Sequence, residues 1–88
     1  MKKFHVVLRR KVAKNLKRID KKYRKRIIVA LIKLEETPYI GKALRGELKG
    51  LYSLKVWPYR IIYKTYNNKL IVYVIDIGHR QGIYSRFQ

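Results

Sequence analysis

A change of hydrophobic periodicity at Pro38 divides this chain into a helical part and a strand-rich part. Before Pro38, apolar residues recur at spacings of three and four, which is the pattern of one helix face. The pattern predicts a first helix over residues 9–19 and a second from Lys21 to Glu36, with Asp20 as the N-cap of the second. Because a proline disfavours helical geometry in the residue before it, we expect Pro38 to end the second helix.

Short β-branched and aromatic runs flank the helical part and predict strands. The first run is Phe4–Leu8, and the others follow a glycine-containing loop over residues 39–50. These later runs are Leu51–Val56, Tyr59–Tyr66 and Lys69–Ile77, joined by two-residue turns at Trp57-Pro58 and Asn67-Asn68. The last run is apolar on both faces, so we place it at the centre of the sheet and expect Gly78 to end it.

The element order β-α-α-β-β-β predicts a small single α+β domain over residues 1–88. In this fold an antiparallel helical hairpin packs on one face of a twisted, mainly antiparallel sheet that includes the N-terminal strand. On the second helix, Ile28 and Ile32 widen an apolar stripe that runs through Ile27 and Leu34. We therefore expect this helix to be covered on more than one side.

The charge of the chain is strongly unbalanced: 23 Lys and Arg stand against 5 Asp and Glu, a formal net charge of +18. This excess favours a nucleic acid as ligand and an acidic protein as partner. Cysteine is absent, which excludes disulfides and thiolate metal sites. No run approaches the roughly 20 apolar residues of a membrane span. We therefore expect a cytoplasmic protein with no metal, no cofactor and no membrane segment.

Two cations are expected to face each other across the sheet. If Trp57-Pro58 is a two-residue turn, Lys55 lies directly opposite Arg60, where like charges cost stability. Local conflicts of this kind are typical of functional sites. With Asn67-Asn68 as the next turn, Arg60 faces the neighbourhood of Ile75. Three further candidates are expected at the same mouth of the sheet: His79, Arg80 and Tyr84.

A cluster of this composition suits metal-free cleavage of RNA. Asp76 is the only acid in the last 41 residues, so two-metal phosphoryl chemistry lacks ligands. In the metal-free route the 2′-hydroxyl loses a proton, the phosphorane is stabilised and the 5′-oxygen gains a proton. Arginine and lysine can supply the charge, a lysine crowded by another cation can act as base, and His or Tyr can transfer protons.

Several motifs follow one another in order after the short strand and the basic hairpin. They are Leu44-Arg45-Gly46, Gly50–Val56, Tyr59–Tyr63, Val74–Arg80 and Ile83-Tyr84. In this order and spacing the whole chain resembles the RelE/ParE toxin superfamily of type II toxin–antitoxin systems. The resemblance implies a RelE-type mRNA interferase, which is a ribosome-dependent endoribonuclease that cuts mRNA in the A site without a metal and is neutralised by an acidic antitoxin similar to RelB.

The resemblance also implies roles for single residues. Lys55 matches a lysine proposed as general base, and Arg60 matches the arginine that stabilises the transition state. Arg80 matches an arginine near the leaving group. Tyr84 matches a C-terminal tyrosine that stacks on or orients the substrate, and Arg45 matches a phosphate contact.

Two positions differ from the best-known members of the superfamily. Ser53 stands where a Lys-x-Lys pair would have its first lysine, and His79 beside Arg80 could take a proton-transfer role. ParE-type members share the fold, inhibit DNA gyrase and lack the nuclease residues, so retention of these residues favours the RelE type. The alternatives are a ParE-like gyrase inhibitor and a plain basic RNA-binding protein.

Other basic residues are expected to contact the RNA backbone, which sets affinity and salt dependence rather than the position of cutting. They are Lys14, Lys17, Lys21 and Lys25 on the helices and Arg45 and Lys49 in the loop. Trp57-Pro58 is interpreted as turn packing. Ile62 lies on the same side of its strand as Arg60 and Lys64, and the pattern leaves open whether it is an exposed antitoxin contact or partial core.

Overall fold

The structure, a computed structural model, describes residues 3–83. Within this range the elements are β1 (His5–Leu8), α1 (Arg10–Arg18), α2 (Lys21–Glu36), β2 (Lys42–Ala43), β3 (Tyr52–Val56), β4 (Tyr59–Tyr66) and β5 (Ile71–His79). A single turn of 3-10 helix, Gly46–Leu48, lies between β2 and β3. The predicted α+β class is confirmed. One strand of the structure was not predicted: β2 lies within residues 39–50, which the sequence pattern indicated to be a loop.

The strands of the described residues form one mixed sheet in the order β1-β5-β4-β3-β2. β1 pairs in parallel with β5, and the other neighbours are antiparallel. β5 is therefore an interior strand, as its two apolar faces predicted, although β4 occupies the middle position. This topology brings the β3–β4 turn, residues 57–58, and the end of β5 at His79 to the same end of the strands. This end of the sheet is called the site edge.

The helices form as the sequence pattern predicts. The Asp20 carboxylate accepts a hydrogen bond from the Lys22 N–H at 3.4 Å, which makes it the N-cap of α2. At the other end the Thr37 hydroxyl donates to the Lys33 carbonyl at 2.8 Å. Both helices cover the same face of the sheet. The core between them is made of buried apolar residues from both layers: Val12, Ile27, Leu31, Leu34, Ile61, Tyr63, Val72, Val74 and Ile77.

The outward side of α2 departs from the prediction. Ile28, Val29 and Ile32 are exposed by 42%, 56% and 58%. The expectation that α2 is covered on more than one side is therefore wrong within residues 3–83. Because the sheet covers only the side of α2 that carries Ile27 and Leu34, the widened stripe faces outward.

The link between β4 and β5 also departs from the prediction. It spans residues 67–70 rather than two residues, because Tyr66 pairs with Ile71. The Tyr39 hydroxyl donates a hydrogen bond to the Asn67 side-chain oxygen, so a residue far away in the sequence holds this turn. The longer turn moves β5 along β4 by two residues relative to the prediction.

A register shift after Ile62 adds one more residue to that displacement. Arg60 therefore pairs with Gly78 and not with the neighbourhood of Ile75. Gly78 does not end β5, since the strand continues through His79. This correction decides which residues lie beside Arg60.

Gly41 and Tyr63 connect the β2 segment to the sheet. The Gly41 N–H donates to the Tyr63 hydroxyl at 3.0 Å, and the Tyr63 ring stacks on Tyr52 with centroids 5.3 Å apart. Burial raises the pKa of the Tyr63 hydroxyl above its ordinary value, against a lowering contribution from the Gly41 hydrogen bond. A Cβ on Gly41 would lie 2.6 Å from the Tyr63 hydroxyl oxygen, so this position requires glycine.

The face of the sheet away from the helices is partly closed. Ile62, whose burial the sequence left open, is fully buried on this face, and Ser53 is also buried. Ile83 is fully buried as well but lies outside the main core cluster. Part of this face is therefore buried, and Lys55 is one of the charged residues exposed on the rest of it.

Candidate functional site

Lys55 and Arg60 form the centre of the candidate site. They pair directly across β3 and β4, as the sequence predicted, and Val56 pairs with Tyr59 beside the Trp57-Pro58 turn. Because side chains alternate along a strand, Lys55 and Arg60 project from the face opposite the helices. The residue opposite Arg60 on its other side is Gly78, which adds no side chain to this face.

Arg80 joins this end of the sheet through the same turn. Its N–H donates to the Pro58 carbonyl at 2.9 Å, and its guanidinium carbon lies 4.3 Å from the centroid of the Trp57 ring. The Lys55 ammonium lies 5.6 Å from the centroid of that ring. Lys55, Arg60 and Arg80 are therefore brought together at one edge, as predicted.

Trp57 is the site residue that the sequence interpretation missed. It was interpreted as turn packing, yet its side chain is 52% exposed and carries contacts with two of the candidate cations. An exposed tryptophan beside Lys55, at the tip of a hairpin that carries a like-charged pair, is the signal that could have identified it.

His79 lies at the same end of the sheet but projects from the other face. It pairs with Tyr59, and the two rings meet edge to face with centroids 6.0 Å apart. Its Nδ1 accepts a long hydrogen bond from the Gln81 N–H at 3.5 Å. His79 is thus separated by the sheet from the face that carries Lys55 and Arg60. Tyr84, for which the resemblance implies that it stacks on or orients the substrate, lies outside the described residues.

A chain of aromatic contacts links this edge to the basic helices. Tyr59 packs against Tyr23 of α2 at 5.8 Å, and the Tyr23 ring contacts the cationic ends of Lys22 and Arg26 at 5.1 and 5.9 Å. The four helix lysines predicted to bind RNA, Lys14, Lys17, Lys21 and Lys25, are all exposed. The positive surface of the helices therefore comes close to the helix-facing side of the site edge.

Two shallow grooves are lined by basic residues outside this edge. One lies along α1 and is lined by Arg9, Arg10, Lys11, Lys14, Asn15 and Arg18. The other contains the predicted phosphate contacts Arg45 and Lys49 together with Gly46 and Gly50, which have φ angles of 67° and 98°. Such left-handed backbone favours glycine at both positions.

Among the described residues, the acidic Asp76 of β5 lies on the same face of the sheet as Lys55 and Arg60. Asp76 pairs with Ile62, is 5% exposed, and accepts a hydrogen bond from the Ile77 N–H at 2.9 Å. Within residues 3–83, no group of three His, Cys, Asp or Glu residues is arranged to hold a metal ion. In the same range no helix is both long and apolar enough to cross a membrane.

The arrangement fits an anionic ligand at the edge of the sheet. Guanidinium groups bind phosphate oxygens through paired N–H donors, and an ammonium adds a third positive group. Three such cations around one phosphodiester can stabilise the additional negative charge of a pentacoordinate transition state. The site thus has the charge for RNA chemistry on one face and a histidine on the other.

Comparisons with known proteins agree with this architecture. Residues 6–84 match the family described as ParE toxin of type II toxin–antitoxin system, parDE. A curated relative, toxin RelG of Mycobacterium tuberculosis, is 36% identical over 47 residues, which are 53% of this chain and 54% of RelG. The matched part thus spans about half the length of that relative.

Solved structures share the fold. The toxin–antitoxin complex RelBE2 from Mycobacterium tuberculosis matches with a TM-score of 0.81 and 22% identity, over 91% of this chain and 94% of that chain. The archaeal RelE–RelB complex from Pyrococcus horikoshii matches with a TM-score of 0.74 and 22% identity, over 91% and 97%. With the family match covering nearly the whole sequence, this chain belongs to the ParE toxin family of type II toxin–antitoxin systems and is RelE-like in structure.

Proposed function

We propose that this protein is a ribosome-dependent endoribonuclease that cuts mRNA in the A site and thereby inhibits translation in the cytoplasm. The observation that carries the proposal is the convergence of Lys55, Arg60 and Arg80 on one edge of the sheet. The strand register places a like-charged pair where it costs stability. An anionic substrate at this edge compensates that cost.

In the proposed reaction the RNA 2′-hydroxyl attacks the adjacent phosphorus and the 5′-oxygen leaves. Arg60 and Arg80 stabilise the phosphorane charge. Lys55 removes the 2′-proton through its neutral amine and becomes the third positive group as it takes up that proton. Proton delivery to the 5′-oxygen is assigned to Arg80 or Tyr84. His79 projects from the opposite face, so it needs a side-chain movement around the edge of the sheet to take part. The product carries a 2′,3′-cyclic phosphate, and no divalent ion takes part in the chemical step.

The proposal is tested on ribosomes programmed with mRNA that has a defined A-site codon. The mRNA ends are mapped by primer extension for the wild type, Arg80→Ala and Lys64→Ala. Lys64 is the matched control because it is an exposed cation of β4 that projects from the same face, away from the site. We expect cutting to fall roughly 100- to 1,000-fold in Arg80→Ala, as for loss of a transition-state charge contact. Lys64→Ala should cut at close to the wild-type rate.

Intact mRNA with the wild-type protein would contradict the proposal. The second candidate is then inhibition of DNA gyrase, which the match to the ParE toxin family favours. A supercoiling assay with purified gyrase distinguishes the two, because a gyrase inhibitor blocks supercoiling and leaves mRNA whole. A protein that does neither but binds ribosomal RNA would be a plain RNA-binding protein.

We also infer an acidic antitoxin as partner. Similar solved structures are the toxin–antitoxin complex RelBE2 and an archaeal RelE–RelB complex. Here the outward stripe of Ile28, Val29 and Ile32 lies on a helix with several lysines and arginines. An amphipathic acidic segment fits this surface, since its apolar side covers the stripe and its carboxylates meet the basic rim.

Co-expression with a small acidic protein encoded next to the toxin tests this partner. The pair should co-purify, and association should slow as salt is raised. A double change, Ile28→Ser with Ile32→Ser, should weaken the pair without unfolding the toxin, because both side chains are exposed. Unchanged affinity in that variant would place the antitoxin elsewhere.

A further inference from the structure

Trp57 has no role in the proposed reaction, yet it touches two of its residues. The indole is about half exposed at the tip of the β3–β4 turn and does not belong to the core cluster. The Arg80 guanidinium and the Lys55 ammonium lie 4.3 and 5.6 Å from its centroid. Packing of the apolar core therefore does not explain why a large aromatic side chain occupies this turn.

Two positive groups that lie at one place, such as Lys55 and Arg80, require a neighbour that attracts both. The pairing of Lys55 with Arg60 places two positive charges side by side, and Arg80 adds a third. A carboxylate would attract them, but it would also cancel the positive field that an RNA phosphate requires. An aromatic ring attracts cations through its quadrupole and has no net charge. Trp57 is such a neighbour.

We propose that Trp57 is a positioning residue that holds the side chains of Arg80 and Lys55 against its ring, so that both lie beside a phosphodiester and the positive field there is not cancelled. That the phosphodiester belongs to RNA rests on the function proposed above. The Arg80 backbone is already fixed by its hydrogen bond to the Pro58 carbonyl. The indole then restrains the guanidinium, which reduces the side-chain entropy lost on binding.

The fluorescence of the protein reports on this contact directly, because Trp57 is the sole tryptophan. Removing either cation should change the indole emission, so Arg80→Ala and Lys55→Ala are compared with Lys64→Ala. The probe ligand is a short 2′-O-methyl RNA, which cannot be cut because its 2′-oxygen is blocked. Addition of this RNA should also shift the emission of the wild type. Emission that is unchanged in both Arg80→Ala and Lys55→Ala would overturn the proposal.

A substitution series at position 57 separates the effect of an aromatic ring from the effect of a negative charge. Affinity for the same RNA is measured by anisotropy at low salt for Trp57→Phe, Trp57→Leu, Trp57→Gln and Trp57→Glu. Phe keeps a ring, so its affinity should stay within about twofold of the wild type. Leu and Gln lose both cation contacts and should bind roughly three- to tenfold more weakly. Glu holds the cations but neutralises them and should bind at least roughly tenfold more weakly than Gln.

Tyr66→Leu is the matched control for loss of an aromatic–cation contact. Its ring lies 5.3 Å from the Lys64 ammonium at the opposite end of β4, away from the site. This variant should bind RNA like the wild type. Thermal unfolding of every variant identifies any loss of affinity that is due to unfolding. Affinity of Trp57→Leu equal to that of the wild type, or of Trp57→Glu equal to that of Trp57→Gln, would overturn the proposal.

The binding series involves no cleavage, so the two proposals can fail separately. If wild-type protein leaves ribosomal mRNA intact while the Trp57 series follows the expected order, the nuclease assignment fails and the positioning role stands. If wild type cuts mRNA and Trp57→Leu cuts with unchanged kcat and KM, the positioning role fails and the nuclease assignment stands.

Discussion

The two faces of the sheet differ in what their side chains contact. On the face under α1 and α2, contacts are apolar and closed, with Ile27, Leu34 and Ile61 fully buried. At the edge of the other face, Lys55 pairs with Arg60 and gains an exposed tryptophan as neighbour. The first arrangement lowers the free energy of the folded chain. The second brings two positive charges together, which costs free energy between them, and under the proposed function it serves to bind an anionic ligand.

The largest expected effect tests the covered face. Leu34→Ala should destabilise the protein by about 2–5 kcal/mol, because a fully buried leucine leaves a cavity between α2 and the sheet. Its matched control is Ile32→Ala on the outward side of the same helix, which should cost less than about 1 kcal/mol. Chemical denaturation measures both. Equal losses would show that the outward side of α2 is packed after all.

Gly41→Ala should have the next largest effect. The added methyl group would overlap the Tyr63 hydroxyl and approach the Ser53 carbonyl oxygen to 3.1 Å, so β2 must shift. We expect a loss of about 1–3 kcal/mol in the free energy of unfolding. Gly82→Ala is the control, since a Cβ there meets nothing within 4 Å. A tolerated Gly41→Ala would mean that Gly41 does not pack closely against the Tyr63 hydroxyl.

The features of the fold that depend on local sequence pattern were predicted correctly. Periodicity gave α2 from Lys21 to Glu36 and β4 from Tyr59 to Tyr66 with their observed bounds, because local patterns report which side of an element is buried. The Lys55–Arg60 pair followed from a two-residue turn, which is also local. The family match, too, agrees with a resemblance carried by short ordered motifs.

The misses arise from contacts between distant parts of the chain. Asn67 takes part in a four-residue turn whose hydrogen bond comes from Tyr39, and the register shift after Ile62 has no local sequence signal. As a result of both features, Gly78 rather than Ile75 lies opposite Arg60. The contact of Arg80 with Trp57 likewise joins two turns that only the tertiary fold brings together. The pairing of Lys55 with Arg60 could thus be predicted from the sequence, whereas the contact of Arg80 with the Trp57 ring could not.

Tyr63→Phe tests the covered face through pH. Burial raises the pKa of the Tyr63 hydroxyl above the ordinary value of 10.0, so the unfolded chain loses this proton before the folded one does. The stabilising contribution is therefore complete below pH 10 and is lost as pH rises above it. Phe removes this alkaline dependence and leaves the Gly41 N–H without its partner, at a cost of about 1 kcal/mol at neutral pH. Unfolding curves at neutral and alkaline pH check both effects. An alkaline decline of the same size in wild type and variant would contradict the assignment to Tyr63.

The smallest expected effect on stability comes from Lys55→Gln, on the face of the sheet opposite the helices. Removing the positive charge relieves repulsion with Arg60, worth about 0.2–1 kcal/mol, and also removes a contact with Trp57 of about 0.5–1 kcal/mol. The two nearly cancel, so the free energy of unfolding should change by less than about 0.5 kcal/mol. Cutting of mRNA on programmed ribosomes should nevertheless fall at least roughly tenfold, because the proposed base is lost. Lys64→Gln, the same change on the same face away from the site, should alter neither quantity. A Lys55→Gln protein that keeps its activity, or that loses stability as Leu34→Ala does, would show that the open edge is part of the scaffold rather than a surface kept for an anionic ligand.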